Sequence, residues 1–255
     1  METVKQIPYG VADFESVINQ NMYYVDKTMY LAELEKQPRT LIFIRPRRFG
    51  KSLFISMMRA YYDKSKADRF DKLFGSLWVG SHPTPLRNHY QVLYLDFSRI
   101  GGNIDVLEKE FDSYCCIQLN DFIDTYRNDY PKEMVDEFLR AENATRKLNI
   151  LLNMSRKYDQ PLYLIIDEYD NFTNIVLSEH GEAIYHNMTH AAGFYREVFK
   201  KFKGMFERIF LTGVSPVTLD DLTSGFNIGW NISMAPELDK MLGFSTEDVR
   251  QMFTY

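Results

Sequence analysis

The sequence predicts an α/β fold in three layers, with a mainly parallel sheet covered by helices on both faces. Three observations predict it. Short apolar runs alternate with stretches of helical periodicity along most of the chain, the pattern of strands joined by crossover helices. One such run, Leu41-Ile42-Phe43-Ile44, leads through Arg45-Pro46-Arg47-Arg48-Phe49-Gly50-Lys51-Ser52 into a helical segment. Another, Pro161-Leu162-Tyr163-Leu164-Ile165-Ile166, is apolar throughout and ends in Asp167-Glu168. A strand buried on both faces reads as a continuous apolar run, and parallel sheets are made of such strands.

In chain order, residues 7–37 read as a flank, with Asp26 as the N-cap of a helix running to about Gln37, where Pro38 stops it. The first strand is Leu41–Ile44, and the helix after it runs from about Lys51 to Tyr62. A short helix is expected over Asp68–Phe74. Tyr90–Phe97, rich in aromatic and apolar residues, reads as the second strand. Two long helices follow, about Ile104–Tyr126 and Pro131–Tyr158, with Leu107, Phe111 and Tyr114 at helical spacing. Leu162–Ile166 is the third strand, and a polar segment leads into a helix from about Glu179 to Phe202. Arg208–Leu211 is the fourth strand, ending at Thr212-Gly213, and Asn227–Ser233 is a short fifth. Ser245 or Thr246 caps a last helix with acids in its first turn. The expected layout is a flank over 1–38, a core over 39–243 and the start of a further helical region over 244–255. That last helix is short for one standing alone, so the chain is expected to be part of a longer protein.

Composition narrows the function classes. The chain has 255 residues, 45% of them hydrophobic and 25% charged, which suits one substantial α/β core. No apolar run approaches the ~20 residues that span a bilayer, and the N-terminus has no apolar signal core, so a cytoplasmic protein is expected. A formal net charge of −5 argues against a protein that coats nucleic acid, although Arg45, Arg47, Arg48 and Lys51 form a local basic patch. The two cysteines, Cys115 and Cys116, are neighbours in a helix and read as structural thiols.

The chemistry sits in the two motifs. Strand, tight loop and Gly-Lys-Ser opening a helix is the context of a phosphate-binding loop. The unpaired N–H groups of the first helical turn and the helix dipole favour an anion there. Arg45 stands where the usual G-x-x-x-x-G-K-[ST] pattern has its first glycine, in a loop where glycine most easily supplies φ > 0. Lys51 would neutralise the β- and γ-phosphates of ATP, while Ser52 and Asp167 would hold Mg²⁺. Glu168 is the candidate to orient and polarise the attacking water. Thr212, at the tip of the fourth strand, either caps the turn at Gly213 or, by its resemblance to a position in related ATPases, reaches the γ-phosphate as a polar sensor. Arg47 and Arg48 either bind phosphate oxygens with paired donors or turn to acids and solvent.

Several segments together resemble the AAA-ATPase-like domain family over nearly the whole chain. They are Ile7-Pro8-Tyr9-Gly10, Tyr24-Val25-Asp26-Lys27-Thr28, Arg45 to Leu53, Ile166-Asp167-Glu168-Tyr169-Asp170, Leu211-Thr212-Gly213-Val214-Ser215-Pro216 and Asp221-Leu222-Thr223-Ser224-Gly225-Phe226-Asn227. The resemblance implies a P-loop NTPase fold with RecA/AAA-like strand order. It implies nucleotide contacts from Arg47, Arg48, Phe49, Gly50, Lys51, Ser52 and Leu53. It also implies a nuclease-like C-terminal domain beyond Tyr255. An arginine finger from a neighbouring subunit of a homo-oligomer would come from Arg127, Arg140, Arg156, Arg196 or Arg208.

The leading expectation is an ATPase that acts as motor or switch for a further domain. The alternative is a nucleotide-dependent interaction module with little turnover. A small-molecule kinase is disfavoured because Asp167-Glu168 suits water activation. His186 and His190, one turn apart with Glu182 before them, lack the glutamate that a zinc-protease helix needs after the first histidine and read as a solvated face. Asp220-Asp221 reads as a cap. Asp96 either nears the catalytic edge or closes its strand.

Overall fold

The computed structural model describes residues 5–101, 106–189, 198–199, 201–202, 204–215 and 229–254. Its internal contacts divide the chain into two units. One comprises Arg39–Ile44 and Tyr90–Asn231, the other Met1–Pro38, Arg45–His89 and Ile232–Tyr255.

The first unit is built on a five-stranded sheet. Its strands are β1 (Thr40–Ile44), β2 (Gln91–Asp96), β3 (Leu162–Asp167), β4 (Arg208–Gly213) and β5 (Trp230–Asn231). The order across the sheet is β2-β3-β4-β1-β5, and every recorded pairing is parallel. This is the strand order that the family resemblance implied. β3 and β4 are buried along their whole length, which is why their sequences are apolar without alternation. The fifth strand is shorter than expected, and Asn227 and Ile228 lie outside the described residues.

Helices of this unit are α6 (Leu107–Thr125), α7 (Lys132–Arg140), α8 (Ala144–Lys157), α9 (Asn171–His180) and α10 (Glu182–Thr189). Phe97, Phe111, Leu119, Leu148, Leu151 and Ile166 belong to one buried apolar cluster. The single helix expected over Pro131–Tyr158 is two. Asn143 is extended (φ −141°, ψ 161°) and its side chain accepts a bond from the Arg146 amide, so it starts α8 afresh. Asp112 on α6 accepts from the Ala144 amide at 2.9 Å and fixes that start. The helix expected from Glu179 begins eight residues earlier, at Asn171, and breaks at Gly181 (φ +83°). Residues 190–197 lie outside the described set.

The second unit holds α1 (Phe14–Asn19), α2 (Tyr30–Lys36), α3 (Lys51–Tyr62), α4 (Phe70–Phe74), α5 (Trp78–Ser81) and α11 (Thr246–Thr254). Aromatic rings form much of its core. Phe14 stacks on Phe74 with centroids 5.0 Å apart, and Tyr61 meets Phe74 edge-on at 5.4 Å. The residues expected to be a flank thus include a helix, α1, capped by Asp13, whose carboxylate accepts from the Ser16 amide. Asp26 is not the N-cap of α2, which starts at Tyr30. Its carboxylate accepts instead from the Thr28 amide and hydroxyl and from the Trp78 amide at the start of α5. Among the described residues, no helix is long and apolar enough to cross a membrane.

Candidate functional site

The residues read from the sequence as a phosphate loop follow β1 directly. β1, β4 and β3 are parallel neighbours, so Ile44, Gly213 and Asp167 end on one edge of the sheet. The chain leaves that edge at Ile44 and enters the loop at Arg45. Within the loop, the left-handed positions are Arg48 (φ +68°) and Gly50 (φ +87°). Arg45 has no such backbone, so a glycine is not needed there. Its guanidinium instead donates to the Ser233 carbonyl at 2.5 Å. The unusual residue at the head of the loop is therefore a brace on the segment after β5.

Lys51 is buried, and its ammonium donates to the carbonyls of Arg45 at 3.0 Å and Pro46 at 3.1 Å. The loop thus closes around the lysine nitrogen. α3 starts at this residue with no side-chain cap and no acid in its first turn. Its amino end carries the positive end of the helix dipole with no side chain set against it. Ser52 is exposed, and Leu53 is half-buried in the same turn. Arg47, Arg48 and Phe49 are exposed at the loop tip. Neither Arg47 nor Arg48 has a side-chain partner among the described residues. Phe49 also lines an open cavity of about 600 Å³ with Asp239, Leu242, Phe244, Thr246 and Arg250. The Gly243 amide donates to the Phe49 carbonyl at 3.2 Å.

The acidic half sits at the ends of β3 and β4. Asp167 and Thr212 are both buried, and the Thr212 hydroxyl donates to Asp167 Oδ1 at 2.5 Å. The hydroxyl is thus directed at Asp167 and not at the turn of Gly213. Glu168 follows with φ +52°, a left-handed conformation that non-glycine residues seldom adopt. Tyr169 then bonds twice to the β4 end. Its amide donates to the Thr212 carbonyl at 3.0 Å and its hydroxyl to the Ser215 carbonyl at 2.6 Å. Buried Asp170 accepts from the amides of Val214 and Ser215 and from Asn174 Nδ2. Sequence reading gave no role to Tyr169 or Asp170. Their signal is the acid-aromatic-acid run after the strand, which has meaning only once β4 is known to lie beside β3.

Other sequence candidates resolve simply. Asp96 is level with Asp167 in the sheet register, and its oxygens accept from Ser98 and Arg99. It sits at the same edge and closes its strand. His186 pairs with Glu182 at 3.1 Å on an exposed face, while His190, Arg196 and Asp220-Asp221 lie outside the described residues. Arg156 bonds the Gly204 carbonyl, and Arg208 is buried at the start of β4. Cys115 is buried, and Cys116 is half-buried with its thiol pushed up by burial to about 11. Both are inert by these surroundings. Among the described residues no three His, Cys, Asp or Glu side chains converge into a self-contained metal site. Ser52 and Asp167 each carry the kind of oxygen donor that Mg²⁺ takes.

Comparison with known proteins gives the context. The family described as predicted AAA-ATPase matches residues 8–223. An uncharacterized protein encoded in the vnfD 5′ region of Azotobacter chroococcum mcd 1 is 25% identical over 253 residues. That match covers 98% of this chain and 45% of the relative, so the chain spans about half the length of that protein. A crystal structure of Cdc6p from Pyrobaculum aerophilum shows a distant likeness, with a TM-score of 0.34 and 12% identity over 90% of this chain and 47% of that one.

Proposed function

The chain belongs to the predicted AAA-ATPase family, and we propose that it binds ATP with Mg²⁺ and hydrolyses it. The observation that carries this reading is the loop itself. It wraps the Lys51 ammonium at the head of a helix whose first turn has neither cap nor acid. A triphosphate would replace the two carbonyl partners of Lys51 with its β- and γ-oxygens, and the amides of the first α3 turn would hold it. Arg47 and Arg48, exposed at the tip, add paired donors for the same oxygens. The cavity beside Phe49 has the volume of a small-molecule site, and its aromatic walls suit the rest of the nucleotide.

Ser52 and Asp167 would hold the Mg²⁺ ion, which supplies neutralisation of charge on the phosphates. Glu168, next to Asp167, orients the attacking water and accepts its proton. Thr212 acts on this centre through Asp167, with its hydroxyl steering the carboxylate. Work done by this cycle would pass to a further domain, such as a nuclease-like one, or to neighbouring copies of the chain.

Two variants test the reading. Lys51→Ala should weaken ATP binding about a hundredfold or more. Unchanged affinity would remove the loop from the site. Glu168→Gln should bind ATP normally and release no phosphate, and wild-type turnover in that variant would exclude Glu168 as the base. A wild-type protein that binds ATP tightly yet shows no single-turnover hydrolysis with Mg²⁺ would support the interaction-module reading instead.

A further inference from the structure

We propose that Asp170 is a positioning residue that, with Tyr169, sets the geometry of Glu168 relative to Thr212. The proposal rests on the hydrolytic reading above. It starts from the backbone at Glu168, whose φ of +52° is a conformation that persists only where its surroundings over-determine it. On one side Asp167 is held by the Thr212 hydroxyl. On the other, Tyr169 is held by the Thr212 and Ser215 carbonyls. The last anchor is the Asp170 carboxylate. It lies 2.6 Å from the Ser215 amide and 3.1 Å from the Val214 amide, with Asn174 Nδ2 at 3.1 Å. Bonds from backbone amides to a buried carboxylate are among the stronger ones in proteins.

The fit between the two segments leaves no slack. A Cβ built on Gly213 would stand 2.4 Å from Tyr169 Cε1 and 2.6 Å from Asp170 Oδ1. Glycine is therefore demanded at 213 by close approach. Glu168 and Thr212 thus belong to one interlocked piece, and Asp170 closes it. Without the carboxylate, the amides of Val214 and Ser215 lose their acceptor, and the turn carrying Glu168 is released from the β4 end.

The test is Asp170→Asn, which keeps the shape and turns an N–H₂ group or a weaker acceptor toward the two amides. Expected are an unchanged Kd for ATP and a fall in kcat of about tenfold or more. In the Glu168→Gln background, which still binds ATP, the same change should leave the Kd for ATP and the thermal midpoint where the single variant has them, because Asp170 acts through Glu168. A purely structural role would lower thermal stability and ATP affinity together, in the wild-type and in the Glu168→Gln background alike. Should Asp170→Asn not fold, Tyr169→Phe removes the bond to Ser215 without opening a cavity, and a loss of kcat at constant Kd is expected again. Wild-type kcat in a folded variant overturns the role of Asp170 and leaves the ATPase reading standing. A wild-type protein that binds ATP without hydrolysing it overturns both.

Discussion

Thr212→Val probes the pair at the heart of the acidic half. Thr212 and Asp167 are 1% and 3% exposed, and their bond measures 2.5 Å. Valine has the shape of threonine, so the change opens no cavity and removes only the hydroxyl. A hydrogen bond to a charged group contributes about 1.5–3 kcal/mol. Replacing a buried hydroxyl by a methyl returns about 0.8 kcal/mol of apolar burial. The net expected loss is about 1–2 kcal/mol. With a urea slope of about 2 kcal/mol/M, the unfolding midpoint should fall by about 0.5–1 M. Urea titration followed by circular dichroism measures it. Thr212→Ser, which keeps the hydroxyl, is the control and should retain the Mg²⁺ dependence of ATP binding, which Thr212→Val weakens. A Thr212→Val protein as stable as wild type, with unaltered Mg²⁺ dependence, would refute the idea that the hydroxyl steers Asp167.

Three further outcomes are expected. Asn143→Ala should destabilise the unit holding α8 by about 1 kcal/mol through loss of the cap on Arg146, read as a lower urea midpoint. Gly213→Ala should cost about 1–3 kcal/mol or more by overpacking, because the new methyl meets two anchored groups, and it should slow turnover in step with Asp170→Asn. Acid should loosen α11. Burial pulls the Asp248 carboxyl upward, but bonds from Lys27 and Ser245 outweigh it and hold it below its ordinary value of 3.8. The unfolded chain therefore takes up this proton first, so the contribution is whole above about pH 5 and drains away as pH falls below about 4. Hydrogen exchange of the α11 amides should rise in that window, and Lys27→Met should flatten the rise.

The parts legible in sequence were those with local signals. β1, β3 and β4 declared themselves as continuous apolar runs because both faces are covered, and Gly50-Lys51-Ser52 marked the start of α3 to the residue. Ser245 was readable as a cap, and it exchanges bonds with Asp248. What escaped depended on distant partners. α1 is too short to hold itself and is fixed by Phe74 and by Ser56, whose hydroxyl accepts from the Phe14 amide. Asp26 was misread because an aspartate bonding two residues ahead uses the same chemistry as a cap. The interlock of Tyr169 and Asp170 with Val214 and Ser215 joins residues 44 positions apart or more, so spacing along the chain could not reveal it.

The most direct measurement replaces Mg²⁺ with Mn²⁺ and follows the ion by electron paramagnetic resonance with ATP bound. The account predicts phosphorus coupling to a protein-held ion and an affinity for Mn²⁺ that falls about tenfold or more in both Ser52→Ala and Asp167→Asn. An ion bound as tightly in Asp167→Asn as in the wild type would contradict it, because loop and acid would then not share one metal.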